Sequence, residues 1–192
     1  NMANNDLSGE VPSTFSKLIY MTECLLNKNK LTGNLADLIK LTRLRTLSVN
    51  ENKLTFTGLA SFDNKPVSLT DYTYAPQDTL LGIQQNENLL TALDCEHPDN
   101  VINWYRNGEL VLTNSQTCEA SETGYYSFRV NNSGYADLTL YSDSVYVEIQ
   151  TIPVDLPVSD YLLPDGQSGC FNALNDITVA GSLPVTIENN AN

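Results

Sequence analysis

The chain has 192 residues, 41% of them hydrophobic, and its 10 basic and 23 acidic side chains give a formal net charge of −13. This length suits two small modules better than one domain, since domains usually contain about 100 to 150 residues. An acidic chain is not attracted to phosphate backbones, so no nucleic-acid partner is expected. No apolar run approaches the roughly 18 residues of a membrane span, so no transmembrane segment is expected.

The charge is distributed unevenly along the chain. Residues 1–60 hold seven basic and five acidic side chains, whereas residues 61–150 hold three and thirteen. Residues 151–192 hold five acidic side chains and no basic one. This change of composition predicts a boundary near residue 60. No signal peptide is recognisable and the chain begins at Asn1, so we expect a mature or shortened chain.

The first sixty residues contain an internal repeat. Leucines and asparagines recur at offsets of 23 or 24 residues, as in the pairs Leu18/Leu41, Leu31/Leu54 and Asn5/Asn29. A period of about 20 to 29 residues that contains LxxLxLxxNxL is the signature of a leucine-rich repeat. Residues 5–56 resemble that family, and the stretch 7–12 resembles its LxGxxP form. The resemblance implies short parallel strands joined by helical return segments over 13–18 and 35–41.

The exposed strand positions of such repeats are the ones that can carry function. The candidates for partner binding are Thr22, Glu23, Leu25, Asn27 and Lys28 in one repeat, and Thr46, Ser48, Asn50 and Glu51 in the next. They form a mixed polar surface with one exposed leucine, which indicates a protein or glycan partner rather than a catalytic set. A solvated face without a ligand is the alternative. Cys24 occupies a leucine position and is expected to be a buried thiol.

From Tyr74 onward, short β-branched and aromatic runs between turn signals predict an all-β module. Leu93 and Cys95 are expected to alternate inward in one strand, and Trp104 in the next. A turn at 107–108 is expected to end that second strand.

Two motifs in this module resemble those of immunoglobulin-like domains. Residues 103–109, NWYRNGE, resemble the WYKNG stretch, and residues 122–128, ETGYYSF, resemble DxGxYxC. The resemblance implies a β-sandwich over residues 74–150, with Tyr126 as the tyrosine corner. Phe128 stands where the family has its second cysteine, so the usual inter-sheet disulfide cannot form, and the Phe128 ring is expected to pack on Trp104.

Four cysteines and one histidine limit the chemistry of the chain. No CxxC pair is present, which argues against a zinc site. Cys95 and Cys118 either form a disulfide or remain reduced in the core. Asp160 and Asp165 lack the spacing of a calcium loop. We therefore expect no metal and no cofactor.

The remaining segments resemble parts of larger exported proteins. The stretch LTFTGLASFDN (54–64) followed by YAPQD (74–78) resembles the link between leucine-rich repeats and immunoglobulin-like domains in surface proteins of Bacteroides-type bacteria, which places the junction at residues 61–73. Residues 74–77 are expected to begin the first strand of the sandwich. Residues 151–192 resemble the start of a truncated β-rich C-terminal segment. Thr79 and Ser144 lie in D-[ST]-apolar triplets, which resemble the O-glycosylation sequon of such bacteria; plain strand-edge residues are the alternative.

The sequence as a whole predicts a mostly β chain: a short leucine-rich-repeat solenoid over 1–60, then an immunoglobulin-like sandwich, then the β-rich segment. His97, in an expected loop, is the sole histidine and no GxSxG motif accompanies it, so no enzyme is expected. We expect a non-catalytic binding or adhesion protein that is extracellular or on a bacterial cell surface. The alternatives are a structural spacer and a carbohydrate-binding accessory module. For the latter, few tyrosines cluster outside predicted strands apart from Tyr72 and Tyr74.

Overall fold

The computed structural model describes residues 1–150, of which Asn1–Glu148 form one compact unit. This part of the chain is mostly β, with its strands arranged in several sheets. The strands are β1 (Ser8–Glu10), β2 (Glu23–Leu25), β3 (Lys30–Thr32), β4 (Thr46–Ser48), β5 (Asp71–Thr73), β6 (Leu80–Leu81), β7 (Ile83–Asn86), β8 (Leu89–Ala92), β9 (Asn100–Arg106), β10 (Glu109–Thr113), β11 (Thr117–Glu119), β12 (Gly124–Asn132), β13 (Thr139–Ser142) and β14 (Val145–Val147).

Within residues 1–150, helical structure is limited to short turns. Ser13–Lys17, Ala36–Lys40 and Ser133–Tyr135 are 3-10 turns, and Phe56–Ala60 is the short helix α1. The expected C-terminal segment, Cys170, Asp160 and Asp165 lie outside the described residues. The domain boundaries near residues 60 and 73 stay a prediction.

Successive turns of the first half of the described chain, residues 1–77, are joined by parallel strands. Strands β2, β4 and β5 form one sheet in the order β2-β4-β5. Its register aligns Cys24 with Leu47 and Leu47 with Tyr72, at offsets of 23 and 25 residues. Cys24 and Leu47 are buried, so this line of side chains faces the interior. The third strand falls inside the segment that the sequence suggested was only a junction.

Amide side chains stabilise the bend that follows each of these strands. Each amide oxygen accepts a backbone N–H from the preceding turn: Asn29 from Leu7, Asn52 from Leu31, and Gln77 from Leu54, at 3.0, 3.0 and 3.1 Å. The amide NH₂ groups donate to carbonyls of the bends themselves. Buried amides are tolerated only when they are hydrogen-bonded in this way. We call these stacked amides rungs. Gln77 is the third of them, and the leucine pattern does not reveal it.

The return segments close the core of the first half. Leu35, Leu38, Leu41 and Leu44 are at most 1% exposed. The helical conformation expected for these segments is confirmed, as 3-10 turns. Burial of a leucine side chain contributes about 1.5–3 kcal/mol, so this row is a main source of stability.

Helix α1 replaces the next 3-10 return and packs closely on the turn before it. The side chain of Thr55 caps it by accepting the N–H of Gly58. A Cβ atom on Gly58 would lie 2.3 Å from the carbonyl oxygen of Gly33. Only glycine permits this approach.

The second half, residues 78–150, consists of two antiparallel sheets, except that β6 pairs with β13 in a parallel manner at one edge. The larger sheet has the order β10-β9-β12-β13-β6, and β14 also pairs with β12. The smaller sheet has the order β11-β8-β7. Along β12 buried and accessible residues alternate from Gly124 to Asn132, so one face of the larger sheet is covered and the other is in contact with solvent.

The expected aromatic core of this half is confirmed. Trp104 and Phe128 lie directly opposite each other on β9 and β12, and their ring centroids are 5.1 Å apart. The indole N–H donates to the carbonyl of Ser115 (3.0 Å). The Tyr126 hydroxyl donates to the carbonyl of Glu122 (2.8 Å), the local contact expected of a tyrosine corner.

Two strand predictions were wrong in position. Leu93 and Cys95 lie beyond the end of β8, which stops at Ala92 because the backbone bends at Asp94, whose φ is 57°. Residues 74–77 are not a strand. Pro76 accepts the N–H of Glu51 through its carbonyl, so this stretch continues the repeated turns.

An aromatic cluster joins the two halves. Tyr74 lies between Tyr72 and Tyr135, with ring centroids 5.3 Å from each. Tyr135 also contacts Phe56 (5.9 Å) and donates its hydroxyl to Asp63 Oδ1 (2.5 Å). Tyr72 and Tyr74 therefore belong to internal packing and not to an exposed platform.

Candidate functional site

The outward positions of the parallel sheet gather most of the predicted binding residues. Glu23 lies opposite Thr46, and Leu25 lies opposite Ser48. We call this surface, with Thr22, the strand face. Thr22 and Glu23 are exposed, whereas Leu25, Thr46 and Ser48 are half-buried. Leu25, expected to be exposed, is partly shielded by its neighbours in the sheet.

Strand β5 extends the strand face by two residues that the sequence did not indicate. Asp71 lies opposite Thr46, and Thr73 lies opposite Ser48. Both are exposed. The signal that could have revealed them is weak: the polar, aromatic, polar pattern of residues 71–73 repeats the alternation of the earlier strands, but Tyr72 replaces the leucine.

The other predicted binding residues lie in the bends next to this face. Lys28 and Glu51 have φ angles of 58° and 52°, and their side chains approach within 3.8 Å. Asn50 Nδ2 donates to Glu51 Oε1 (3.2 Å), and Asn27 is half-buried beside Lys28. The bend therefore holds a compensated pair of charges and contributes little net field to the strand face.

A polar cleft of about 560 Å³ opens between the first and second halves. Two of its hydroxyl groups already donate structural hydrogen bonds: Thr57 to the carbonyl of Glu96 and Thr79 to that of Leu54, each at 2.7 Å. The residues lining it are Thr32, Gly33, Lys53, Thr55, Thr57, Asp78, Thr79, Leu80, Leu81, Asp94 and Glu96.

His97 contributes to loop structure. Its Nδ1 accepts the backbone N–H of Asp99 (3.2 Å) and lies 3.1 Å from Asn132 Nδ2. An amide NH₂ is only a donor, so the Asn132 NH₂ and the Asp99 N–H share the single lone pair of Nδ1. The ring therefore braces the loop before β9 against the end of β12.

Cys95 and Cys118 are both free thiols, so the disulfide considered from the sequence is not formed. Cys118 is paired across the sheet with Leu90, whereas Cys95 lies after the bend that ends β8, with its Sγ near the amide of Gln116 (3.5 Å). A bridge requires Cα atoms within about 7 Å and facing Cβ atoms. Burial raises the pKa of both thiols.

The two glycosylation candidates differ in accessibility. Thr79 is half-buried and its hydroxyl is engaged with Leu54. Ser144 is exposed, and its backbone N–H donates to Asp143 Oδ1 (2.9 Å). Ser144 is the more accessible acceptor for modification.

A second surface, which the sequence analysis missed, lies on the solvent side of the larger antiparallel sheet. Tyr125 faces Tyr146 across β12 and β14, with ring centroids 5.0 Å apart. Further along β12, the Arg129 guanidinium carbon lies 4.4 Å from the centroid of Tyr105 and 5.6 Å from that of Tyr141. We call this surface the tyrosine face. Its other strand positions, identified by register, are Leu80, Val101, Asn103, Leu110, Thr113, Ser127, Asn131 and Thr139.

The sequence analysis considered clusters of tyrosines only outside the predicted strands, which is why this face was overlooked. Tyr125, Tyr141 and Tyr146 are 59%, 52% and 51% exposed, so most of their contact surface is directed to solvent. The signal that could have identified them is the period of two around the buried Tyr126 and Phe128.

Within residues 1–150, no group of three or more His, Cys, Asp or Glu side chains is placed to hold a metal ion. The same residues contain no helix with the length and apolarity needed to cross a membrane. No protein-family model, curated protein or solved structure matches the chain.

Proposed function

We propose that this chain is a non-catalytic binding part of a cell-surface or secreted protein, in which the strand face recognises a protein or glycan partner. In this proposal residues 1–60 are leucine-rich repeats, extended by β5, and residues 74–150 are an immunoglobulin-like domain. The sequence resemblance to surface proteins of Bacteroides-type bacteria supports the location outside the cell.

The regular stacking of the amide rungs supports the repeat assignment. Asn29, Asn52 and Gln77 make equivalent bonds to the preceding turn, as expected when each turn depends on its neighbour. The directly opposed Trp104 and Phe128, together with the Tyr126 hydroxyl bond, support the immunoglobulin-like assignment.

The open row of outward side chains carries the functional proposal. None of the strand-face residues is buried, including Asp71 and Thr73 on β5. Three parallel strands at a spacing of about 4.8 Å present them as a continuous surface. The mixture of hydroxyl, carboxylate and apolar groups on that surface suits recognition by many small contacts.

A panel of extracellular proteins and glycans, probed with the full chain and with two variants, tests this proposal. Ser48→Arg places a long cation in the middle of the strand face, and Ser13→Arg makes the same change on a return segment outside it. We expect at least one ligand to bind the full chain and Ser13→Arg equally well. The same ligand should bind Ser48→Arg at least about tenfold more weakly, a change of about 1.4 kcal/mol. No binding by the full chain, or equal binding by both variants, would refute the proposal and favour a spacer.

A further inference from the structure

The tyrosine face differs in charge from the rest of the second half. Thirteen acidic side chains lie within residues 61–150, yet none occupies an outward strand position of this face. Arg129 is the one formal charge among those positions. The tyrosine face therefore presents aromatic rings and no carboxylate on an otherwise acidic part of the chain, a composition suited to binding a ligand.

Arg129 is held in place but is not neutralised. Its guanidinium carbon lies over the rings of Tyr105 and Tyr141, at 4.4 and 5.6 Å from their centroids. Of the other basic residues within 61–150, Arg106 pairs with Glu122, and Lys65 lies over the ring of Tyr72. Among the described residues, Arg129 has neither a carboxylate partner nor a side-chain hydrogen bond from its guanidinium. Its edge N–H groups are therefore available for a planar anion, which arginine binds in a bidentate manner.

The size of the face indicates what kind of ligand it fits. Five strands spaced about 4.8 Å apart, with outward residues from 125 to 131 on β12, give a flat area of roughly 400 Å². A stable protein interface buries about 800 Å² on each partner. Tyr125 and Arg129 are about 13 Å apart along the strand, roughly the length of a di- or trisaccharide. The dimensions favour an oligosaccharide over a folded protein.

The side chains supply both kinds of contact that a sugar requires. The exposed rings of Tyr125 and Tyr146 offer apolar surface for the C–H side of a sugar ring, and they support each other at 5.0 Å. Neighbouring hydroxyl and amide groups, including Ser127 and Asn103, can exchange hydrogen bonds with sugar hydroxyls.

We propose that the tyrosine face binds an oligosaccharide that contains a sugar carboxylate, such as a uronic or sialic acid. The carboxylate pairs with the edge of Arg129, and adjacent sugar rings stack on the pair Tyr125 and Tyr146. This site is separate from the strand face, so it can exist whether or not the strand face has a ligand.

Isothermal titration calorimetry with the full chain tests the proposal. The acidic probes are tri-galacturonate and sialyllactose, and the matched neutral probes are methyl-esterified tri-galacturonate and lactose. We expect at least one acidic probe to bind about tenfold or more tightly than its neutral counterpart, because the esterified or unsialylated sugar cannot accept two charge-assisted hydrogen bonds. Which acidic probe binds distinguishes a uronate from a sialate. Binding should weaken in 1 M salt.

Variants then locate the site. Arg129→Gln should lower affinity for the acidic probe about tenfold and abolish the preference over the neutral one. Arg129→Lys should bind the acidic probe more weakly than the parent chain does, since lysine keeps the charge but lacks the planar guanidinium that bonds a carboxylate through two N–H groups. Tyr146→Ala should weaken acidic and neutral probes alike. Arg43→Gln is the control, because Arg43 lies 5.1 Å from the ring of exposed Tyr20 in a comparable pair elsewhere.

Several results would overturn the proposal. These are no binding of either acidic probe at millimolar concentration, equal binding of acidic and neutral probes, unchanged affinity in Arg129→Gln, and equal losses in Arg43→Gln. A protein ligand that competes for the face while no sugar binds would assign it to a protein interface instead. The Ser48→Arg variant should bind the acidic probe normally, so failure at one face does not affect the conclusion about the other.

Discussion

The buried amides show how single residues stabilise the first half of this chain. Asn52 is completely buried, and its side chain satisfies the N–H of Leu31 and the carbonyls of Leu26 and Val49. The two carbonyls lie just after strands β2 and β4, and the Leu31 N–H lies on the short strand β3. The same residue type at Asn5, one repeat before Asn29, is exposed to solvent.

Replacing Asn52 with alanine should therefore destabilise the protein strongly. Three buried backbone groups would lose their partner, at about 1–3 kcal/mol each before relaxation, so we expect a loss of about 3 kcal/mol in the free energy of unfolding. Urea denaturation measures it. Asn5→Ala, at the exposed position, should change stability by less than about 0.5 kcal/mol. Similar decreases in the free energy of unfolding for the two variants would show that burial of the amide does not determine its contribution to stability.

Cys24 connects the buried core to pH. Burial raises the pKa of its thiol from an ordinary value of 9.0 to about 11. The folded state therefore holds the thiol proton more tightly than the unfolded state does. The resulting stability is complete below about pH 9 and is lost as the pH rises through about 11. Burial also raises the pKa of Tyr72 and Tyr135, which adds to the alkaline loss.

We expect the urea midpoint to be flat between pH 7 and 8.5 and to fall steeply between pH 9 and 11. Cys24→Ala should lower the midpoint at pH 7 because it leaves a cavity, but should make the alkaline fall shallower. Identical pH profiles for the parent and Cys24→Ala would contradict this assignment. At pH 7.5 the native thiols should react slowly with a disulfide reagent, since the thiolate is the reactive form.

At the scale of elements, the leucine pattern predicted the first strands and return segments, but it could not predict the later ones. Strand β5 and helix α1 perform the same roles with different residues: Tyr72 replaces a leucine, Gln77 replaces an asparagine, and α1 replaces a 3-10 turn. Their places depend on partners 23 to 28 residues away, so local sequence carries little of the signal.

Gly58 in α1 tests how tightly these elements pack. Gly58→Ala would place a methyl group 2.3 Å from the Gly33 carbonyl oxygen, so either the helix or the preceding turn must move. Overpacking of this kind costs about 1–3 kcal/mol, in spite of the better helix propensity of alanine. The control is Gly82→Ala, where the nearest atom, on Leu93, lies 3.4 Å away. A thermal unfolding midpoint that is lowered only by Gly58→Ala would support this close packing, and equal midpoints for the two variants would contradict it.

At the scale of the molecule, the two halves of residues 1–148 share an aromatic cluster centred on Tyr135. Its ring packs on Phe56 and Tyr74, and its hydroxyl binds Asp63, all three from the first half or its junction. The Thr57 hydroxyl bond to Glu96 is a second link. We expect the halves to unfold together.

Calorimetry of the full chain and of two variants measures this coupling. Tyr135→Ala removes both the ring and the hydroxyl, which should cost about 3–5 kcal/mol and separate the unfolding of the two halves into two transitions. Tyr135→Phe keeps the ring and loses only the hydrogen bond, so a smaller decrease and one transition are expected. Two transitions already in the parent chain would contradict the coupling.

The sequence by itself determined the mostly β class, the first turns of the repeat, and the core around Trp104, Phe128 and Tyr126. The first two depend on apolar periodicity and local turn motifs, which a single strand or bend expresses in its own residues. The core around Trp104 was implied by the resemblance of two short motifs to those of immunoglobulin-like domains. The tertiary structure alone decided that β5 extends the strand face, that Cys95 and Cys118 are free thiols, and that Tyr105 and Tyr141 contact Arg129. Those features depend on register and bends between distant strands, because a one-residue shift moves every side chain to the opposite face.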